Sequence, residues 1–235
     1  DGTWTISAED LEANPTLLEN LTITPPEDFS GTMDLGVTAT ATEDAGGTPA
    51  VTTGSISVDV SAVADDADVT VTAAGGNEDT AIALDISAVS TDADGSESVS
   101  IEVGNIPDGA MLTYVDADGA TQTIEFSDGS ATLTPEQLNG LSITPPENSD
   151  GDFQLSVDVT TTDGDDTATV SNTLDVSVAA VADGPTLDLG ATASGAEDSA
   201  ISLDISAALT DTDGSESLSV TISGVPDGAV LSAGT

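Results

Sequence analysis

Apolar and polar residues alternate with a period of two along most of this chain. Ile82-Ala83-Leu84-Asp85-Ile86 and Leu174-Asp175-Val176-Ser177-Val178 are clear examples. Successive side chains of a strand point to opposite faces, so such runs predict half-buried strands rather than helices. The pattern predicts strands near 69–73, 80–88, 98–104, 110–115, 121–126, 141–144, 153–161 and 168–179. Thr, Val and Ile dominate these segments, as pleated surfaces favour. Between them lie turn pairs: Asp94-Gly95, Pro107-Asp108-Gly109, Asp118-Gly119, Asp128-Gly129, Asp150-Gly151 and Asp163-Gly164. Prolines fall between strands or at their edges, where a missing N–H breaks no ladder. One short helical turn interrupts the alternation. Thr134 is placed to cap it, Pro135 takes its first position and Gln137 can close a capping box, with Leu138 tucked under the sheet. Ser7 and Asp10 repeat that arrangement around Leu11.

The pattern is also duplicated on a longer scale. Asn77-Glu78-Asp79-Thr80-Ala81-Ile82-Ala83-Leu84-Asp85-Ile86-Ser87-Ala88 returns as Ala196-Glu197-Asp198-Ser199-Ala200-Ile201-Ser202-Leu203-Asp204-Ile205-Ser206-Ala207, an offset of 119. Thr91-Asp92-Ala93-Asp94-Gly95-Ser96-Glu97-Ser98 returns as Thr210-Asp211-Thr212-Asp213-Gly214-Ser215-Glu216-Ser217 at the same offset. Leu21-Thr22-Ile23-Thr24-Pro25-Pro26-Glu27 matches Leu141-Ser142-Ile143-Thr144-Pro145-Pro146-Glu147 at offset 120. Solenoid units run about 20–50 residues, so this period is the size of an independent domain. The phase predicts three pieces. Residues 1–64 form the C-terminal part of a first β-sandwich repeat, 65–182 a complete repeat, and 183–235 the N-terminal part of a third. Seven or eight short strands per unit predict an all-β fold of tandem immunoglobulin-like β-sandwich repeats of about 119 residues. Cysteine is absent and Trp4 aligns with Ala131, so neither disulfide nor core tryptophan is available. The core is expected to be aliphatic, with Phe126 and Phe153 as its large members.

Charge changes the picture most. The 235 residues carry 44 Asp and Glu and no Lys, Arg or His, a formal charge of −44. Acidic chains poor in aromatics tend to disorder. Here 37% of residues are hydrophobic and they alternate, which argues for a packed fold. No side chain can neutralise the carboxylates, so metal cations and bulk salt remain as counter-ions. Nucleic acid binding needs cationic groups, and none exist. Anionic membrane surfaces repel the chain unless calcium bridges the two. No apolar run approaches the roughly 18 residues of a membrane span, and no basic signal-peptide start is present. Asp1 is expected to follow processing or to lie inside a longer chain.

Strand direction assigns the acidic loops to poles. If strand 69–73 runs away from the linker Asp65-Asp66, then Glu78-Asp79 lies at the far pole. The next strand returns, placing Asp92, Asp94 and Glu97 beside the linker. The same count puts Asp116, Asp118 and the turn Asp163-Gly164-Asp165-Asp166 at the near pole, and Asp150 and Asp152 at the far pole beside Asp183. Glu197 and Asp198 repeat the far-pole pair, and Asp211, Asp213 and Glu216 the near-pole set. Alternate aspartates with a glycine behind them and a glutamate arm can wrap Ca2+, which takes 6–8 hard oxygens at 2.3–2.6 Å. The EF-hand spacing is absent. A single Asp-Gly reads as a solvated turn; the duplicated Asp-x-Asp-Gly-x-Glu is what points to calcium.

Asn77-Glu78-Asp79-Thr80-Ala81-Ile82, Thr91-Asp92-Ala93-Asp94-Gly95-Ser96-Glu97-Ser98 and Gly104-Asn105-Ile106-Pro107-Asp108-Gly109-Ala110 carry a resemblance. The central unit resembles the tandem β-sandwich repeats of very large bacterial surface adhesins exported by type I secretion, the RTX-adhesin class. That resemblance implies an extracellular or cell-surface extender that projects a distal binding domain in adhesion or biofilm formation. It also implies calcium at the linkers, with Asp65, Asp66, Asp92, Asp94 and Glu97 as one set and Asp183, Asp211, Asp213 and Glu216 as the next. The first fragment departs from the pattern, with Glu43-Asp44 where the central unit has Asp163-Gly164. The class's Gly-Gly-x-Gly-x-Asp nonapeptides are missing, so a parallel β-roll is not expected.

No catalytic residue and no organic cofactor is expected. Histidine, cysteine and lysine are all absent as base, thiol and amine, and no carboxylate pair stands out for glycoside hydrolysis. Two alternatives belong to another class: a carbohydrate- or protein-binding sandwich module, and a filament subunit that self-associates through calcium. A binding module would want an aromatic patch, yet Trp4 and Tyr114 are the sole tryptophan and tyrosine. The expected partners are therefore adjacent repeats of the same chain.

Overall fold

The computed structural model describes residues 2–92 and 95–234. The protein is all-β, with only short helical turns. Its strands are β1 (Gly31–Ala41), β2 (Ala50–Val60), β3 (Asp68–Thr72), β4 (Ala74–Asn77), β5 (Ile82–Ala83), β6 (Asp85–Val89), β7 (Ser98–Gly104) and β8 (Met111–Val115). There follow β9 (Thr121–Ile124), β10 (Ala131–Leu133), β11 (Ser142–Thr144), β12 (Phe153–Asp163), β13 (Asp166–Ala179), β14 (Thr186–Leu189) and β15 (Ile205–Ala208). The chain forms two compact units. One comprises Asp1–Asp65, Ser90–Ser98 and Thr161–Ala168; the other comprises Asp66–Val89, Val99–Thr160 and Thr169–Thr235.

The second unit holds the core. A five-stranded sheet runs β10-β7-β12-β13-β4, a four-stranded sheet runs β5-β11-β8-β9, and β3 pairs with β6. Alternation decides which faces are buried. In β12, Leu155, Val157 and Val159 point inward, and in β13, Leu174, Val176 and Val178 do so. Ile101 and Val103 of β7, Leu112 of β8 and Ile143 of β11 join them in one continuous cluster. Each such side chain, fully buried, contributes about 1.5–3 kcal/mol. Phe126 and Phe153 pack against this cluster only partly buried, with Tyr114 and Leu138, so the centre is purely aliphatic.

Two strands go beyond the alternation. β4 is Ala-Gly-Gly-Asn and pairs parallel with β13, from Ala74 opposite Val176 to Asn77 opposite Ala179. A Cβ at Gly76 would lie 2.8 Å from Ile82 Cγ1, so glycine lets this strand pass close beneath Ile82. β10 has three residues and pairs with β7, Leu133 opposite Ile101. The helical turn forms as expected: Pro135–Leu138 is a 3-10 turn, and the Thr134 N–H donates to Gln137 Oε1 at 2.9 Å. In the first unit the Ser7 N–H donates to Asp10 Oδ2 at 3.0 Å, and Asp10 N–H to Ser7 Oγ at 3.2 Å, opening the helix Ala8–Ala13.

Strand registers repeat with the sequence. Val69 faces Ala88 across β3 and β6; their counterparts Leu187 and Ala207 face each other across β14 and β15. By contrast, Leu218–Gly224, matching most of β7, forms no strand. β7 owes its ladder to β10 and β12, and this stretch has no such neighbours. β1 and β2, matching β12 and β13, pair with each other from Gly31 opposite Val60 to Ala41 opposite Ala50. Among the described residues no helix is long and apolar enough to cross a membrane.

Candidate metal centre

Among the described residues one group of three carboxylates lies close together, in the second unit, and acidic side chains also fasten the linker strand of the first. In the first unit the linker strand is held by side chains of two loops. Asp65 N–H donates to Glu97 Oε1 at 2.6 Å, and Ala64 N–H to Asp166 Oδ2 at 3.1 Å. The Thr161 hydroxyl donates to the Asp65 carbonyl. Glu97 is saturated, because Ser90 Oγ donates to its Oε2 at 2.5 Å. Ser90 Oγ in turn accepts the Asp92 N–H at 3.1 Å, and Ser96 Oγ donates to Asp92 Oδ2 at 2.9 Å. Asp163 is buried on the last turn of β12, whereas Asp165 is exposed. Gly164, at φ +58°, allows the turn to come close to the linker: a Cβ there would sit 3.3 Å from Ala62 Cβ. Asp94 lies outside the described residues.

In the second unit the same arrangement recurs one repeat later. Asp183 N–H donates to Glu216 Oε1 at 2.5 Å, as Asp65 does to Glu97. Ser215 Oγ donates to Asp211 Oδ2 at 3.2 Å, as Ser96 does to Asp92. The loop winds on itself: Asp213 N–H donates to Asp211 Oδ1 at 2.9 Å, and Ser215 N–H to Asp213 Oδ1 at 2.7 Å. The Ser215 backbone and hydroxyl bonds hold the Asp213 carboxyl below the usual aspartate range, so it stays ionised further into acid.

Glu78 completes this second centre from the turn after β4. It is only 2% exposed, and its Oε1 accepts the Val181 N–H at 2.6 Å. Its Oε2 is buried and meets no donor among the described residues; the Oε2 of Glu216 is in the same state. Carboxylate oxygens of Glu78, Asp211 and Asp213 all lie within 4.8 Å of one another, and Asp211 is also 2% exposed. Two oxygens on one calcium ion at 2.3–2.6 Å stand at most about 5 Å apart, so these three can share a cation. Burying an anionic oxygen without a donor is costly, and buried charges need a partner or a metal. The chain has no cationic side chain to offer.

Other far-pole groups play structural parts. Asp79 Oδ1 accepts the Asn148 N–H at 2.9 Å, and Asp79 takes a left-handed conformation at φ +55°. Asp152 Oδ1 accepts from Val178 N–H at 2.8 Å and Ser177 Oγ at 3.1 Å, fastening the end of β13. Asp66 is exposed at the start of the second unit. Glu197 and Asp198 are exposed and lie outside the three-carboxylate group.

Sequence reasoning placed Glu78 at a far pole and Asp211 and Asp213 at the next near pole; the fold brings the three together. It did not single out Asp166 as the acceptor for the linker, nor Thr161, Ser90 or Leu209. Ser90 and Leu209 occupy the same repeat position, and that difference is visible in the alignment of the copies. No protein-family model matches the chain, and no curated protein matches it.

Proposed function

We propose that the chain is a calcium-stabilised structural extender of a bacterial cell-surface or secreted adhesin, built from tandem immunoglobulin-like sandwiches. The observation that carries this reading is the buried Glu78 carboxylate, with an oxygen that no protein donor reaches, beside Asp211 and Asp213. Its three carboxylates belong to two successive repeats, so a cation bound there ties the end of one repeat to the opening loop of the next. Repetition supports the same conclusion. The linker N–H to glutamate bond occurs at Asp65 and again at Asp183, as a spacer built from equivalent joints requires.

A spacer acts by length. Short linkers hold an array straight only when each is clamped, and like-charged flanks discourage neighbouring arrays from sticking together. The chain would sit outside the cell, where millimolar calcium substitutes for disulfides, and would hold a binding domain away from the surface. The test is a calcium titration of the full chain by calorimetry with small-angle scattering in parallel. Stability should rise by RT ln(1 + [Ca]/Kd) per site, and the maximum dimension should increase. An unchanged melting temperature and dimension between EDTA and 5 mM calcium would sink the reading.

A further inference from the structure

We infer that the two acidic joints differ in how far they depend on a cation, and that the residue at position 90 of one and 209 of the other sets the difference. The inference rests on the calcium reading above and concerns which joint needs the ion. At the first joint both oxygens of Glu97 are satisfied inside the protein, Oε1 by the Asp65 N–H and Oε2 by the Ser90 hydroxyl. At the second joint Glu216 keeps the bond from the Asp183 N–H. Leu209 replaces the serine, and Glu216 Oε2 is left buried without a donor. Leu209, Glu216 and Asp183 line one cleft of about 560 Å³, with leucine at the repeat position where the first joint has Ser90.

An internal donor and a metal compete for the same lone pairs. Where Ser90 already donates, a cation gains less from Glu97, because binding must displace or share that bond. Where Leu209 stands, the cation relieves a desolvated oxygen that nothing else reaches. Glu78 Oε2 is a second such oxygen, grouped with Asp211 and Asp213; Glu216 lies outside that group of three but on the same loop as the two aspartates. The Leu209 joint is therefore the less stable of the two without metal and the one that needs the ion. The Ser90 joint is pre-satisfied and holds its linker with less dependence on the ion. Along an array, alternating hydroxyl and aliphatic residues at this position would give joints that release in order as calcium falls.

The experiment is isothermal titration of the full chain with calcium chloride, combined with melting in EDTA, for wild type, Leu209→Ser, Leu209→Ala and Ser90→Ala. Wild type should show a tight class of site. Leu209→Ser should weaken the tight class by about tenfold, about 1.4 kcal/mol, and melt higher in EDTA than Leu209→Ala, which loses the same packing but supplies no hydroxyl. Ser90→Ala should melt lower in EDTA, because it leaves Glu97 Oε2 without the hydroxyl that satisfies it. If calcium binds in wild type but Leu209→Ser and Leu209→Ala behave alike in both assays, the inference is overturned while the calcium reading stands. If calcium does not bind wild type at all, the calcium reading falls, and this inference with it.

Discussion

Glu78 is the residue on which the proposed dependence on an ion turns. Its Oε1 is used by the Val181 N–H, while Oε2 is buried with nothing to accept from. Glu78→Gln keeps the shape and the carbonyl acceptor and removes the charge. The expected outcome is a chain at least as stable as wild type in EDTA, with calcium affinity at the tight site reduced about tenfold or more. Calorimetry in both conditions checks this; full retention of the calcium-induced rise in melting temperature would show that Glu78 is not a ligand. Asp116 is a residue of the opposite kind, saturated by the protein itself. It accepts from Ala120 N–H at 2.9 Å, Gln122 Nε2 at 2.7 Å and Asp118 N–H at 3.0 Å. These bonds, chiefly that from Ala120 and then that from Gln122, lower its pKa below the ordinary aspartate value. A carboxyl whose folded pKa is depressed stabilises the fold fully above its unfolded pKa, near 3.9, and loses that contribution as pH falls through the lower folded value. The stability difference between wild type and Asp116→Ala should thus be constant from pH 7 to about 5 and shrink toward pH 2. Urea midpoints across that range, with EDTA present throughout, read it directly.

At the scale of elements, β4 is the strand whose existence depends most on a missing side chain. Gly76 sits where a Cβ would press on Ile82 Cγ1 at 2.8 Å, and the third repeat reproduces the contact with Gly195 and Ile201 at 2.6 Å. Gly76→Ala must push β4 off β13 or shift Ile82 within the core, an overpacking cost of about 1–3 kcal/mol. The urea midpoint should fall accordingly. Because Glu78 follows β4 directly, calcium affinity at the tight site should fall with it. A normal midpoint would mean that β4 yields without disturbing the core. The loop that carries Asp211 and Asp213 is likewise held by its own hydrogen bonds, through Asp211, Asp213 and Ser215, so backbone winding sets the placement of these carboxylates.

For the whole molecule, the uncompensated charge of −44 makes two ionic effects separable. Sodium chloride screens the general repulsion, with a Debye length of about 10 Å at 0.1 M and about 3 Å at 1 M. On the proposed reading, calcium should act in addition at defined oxygens. In 0.5 M sodium chloride, where screening has nearly saturated, a few millimolar calcium should still raise the melting temperature and lengthen the particle in scattering. Magnesium should do so weakly, because it demands tighter octahedral geometry. Equal responses to calcium and to matched ionic strength would assign the acidity to adaptation to salt alone.

Much of this molecule is legible without coordinates, because its determinants are local. Alternating Val, Ile and Leu with Asp-Gly turns between them determine the strands and their inward faces, and the capping residues Thr134 and Gln137 determine the one helical turn of the central unit. Recurrence of the motifs marks the repeat. Tertiary structure decided what depends on distant neighbours. β4 carries no apolar alternation and forms only because β13 offers an open edge. Conversely, the stretch 218–224 largely has the pattern of β7 and forms no strand, because a strand needs a neighbour to pair with as well as a pattern. The three-carboxylate group is of this second kind. Acidic composition could say that carboxylates must meet cations. Only the fold could bring Glu78 to Asp211 and Asp213 and leave one of its oxygens buried without a donor. The exchange of Ser90 for Leu209 is plain in the alignment of the copies, but it acquires meaning only when Glu97 and Glu216 are seen to reach for the same place.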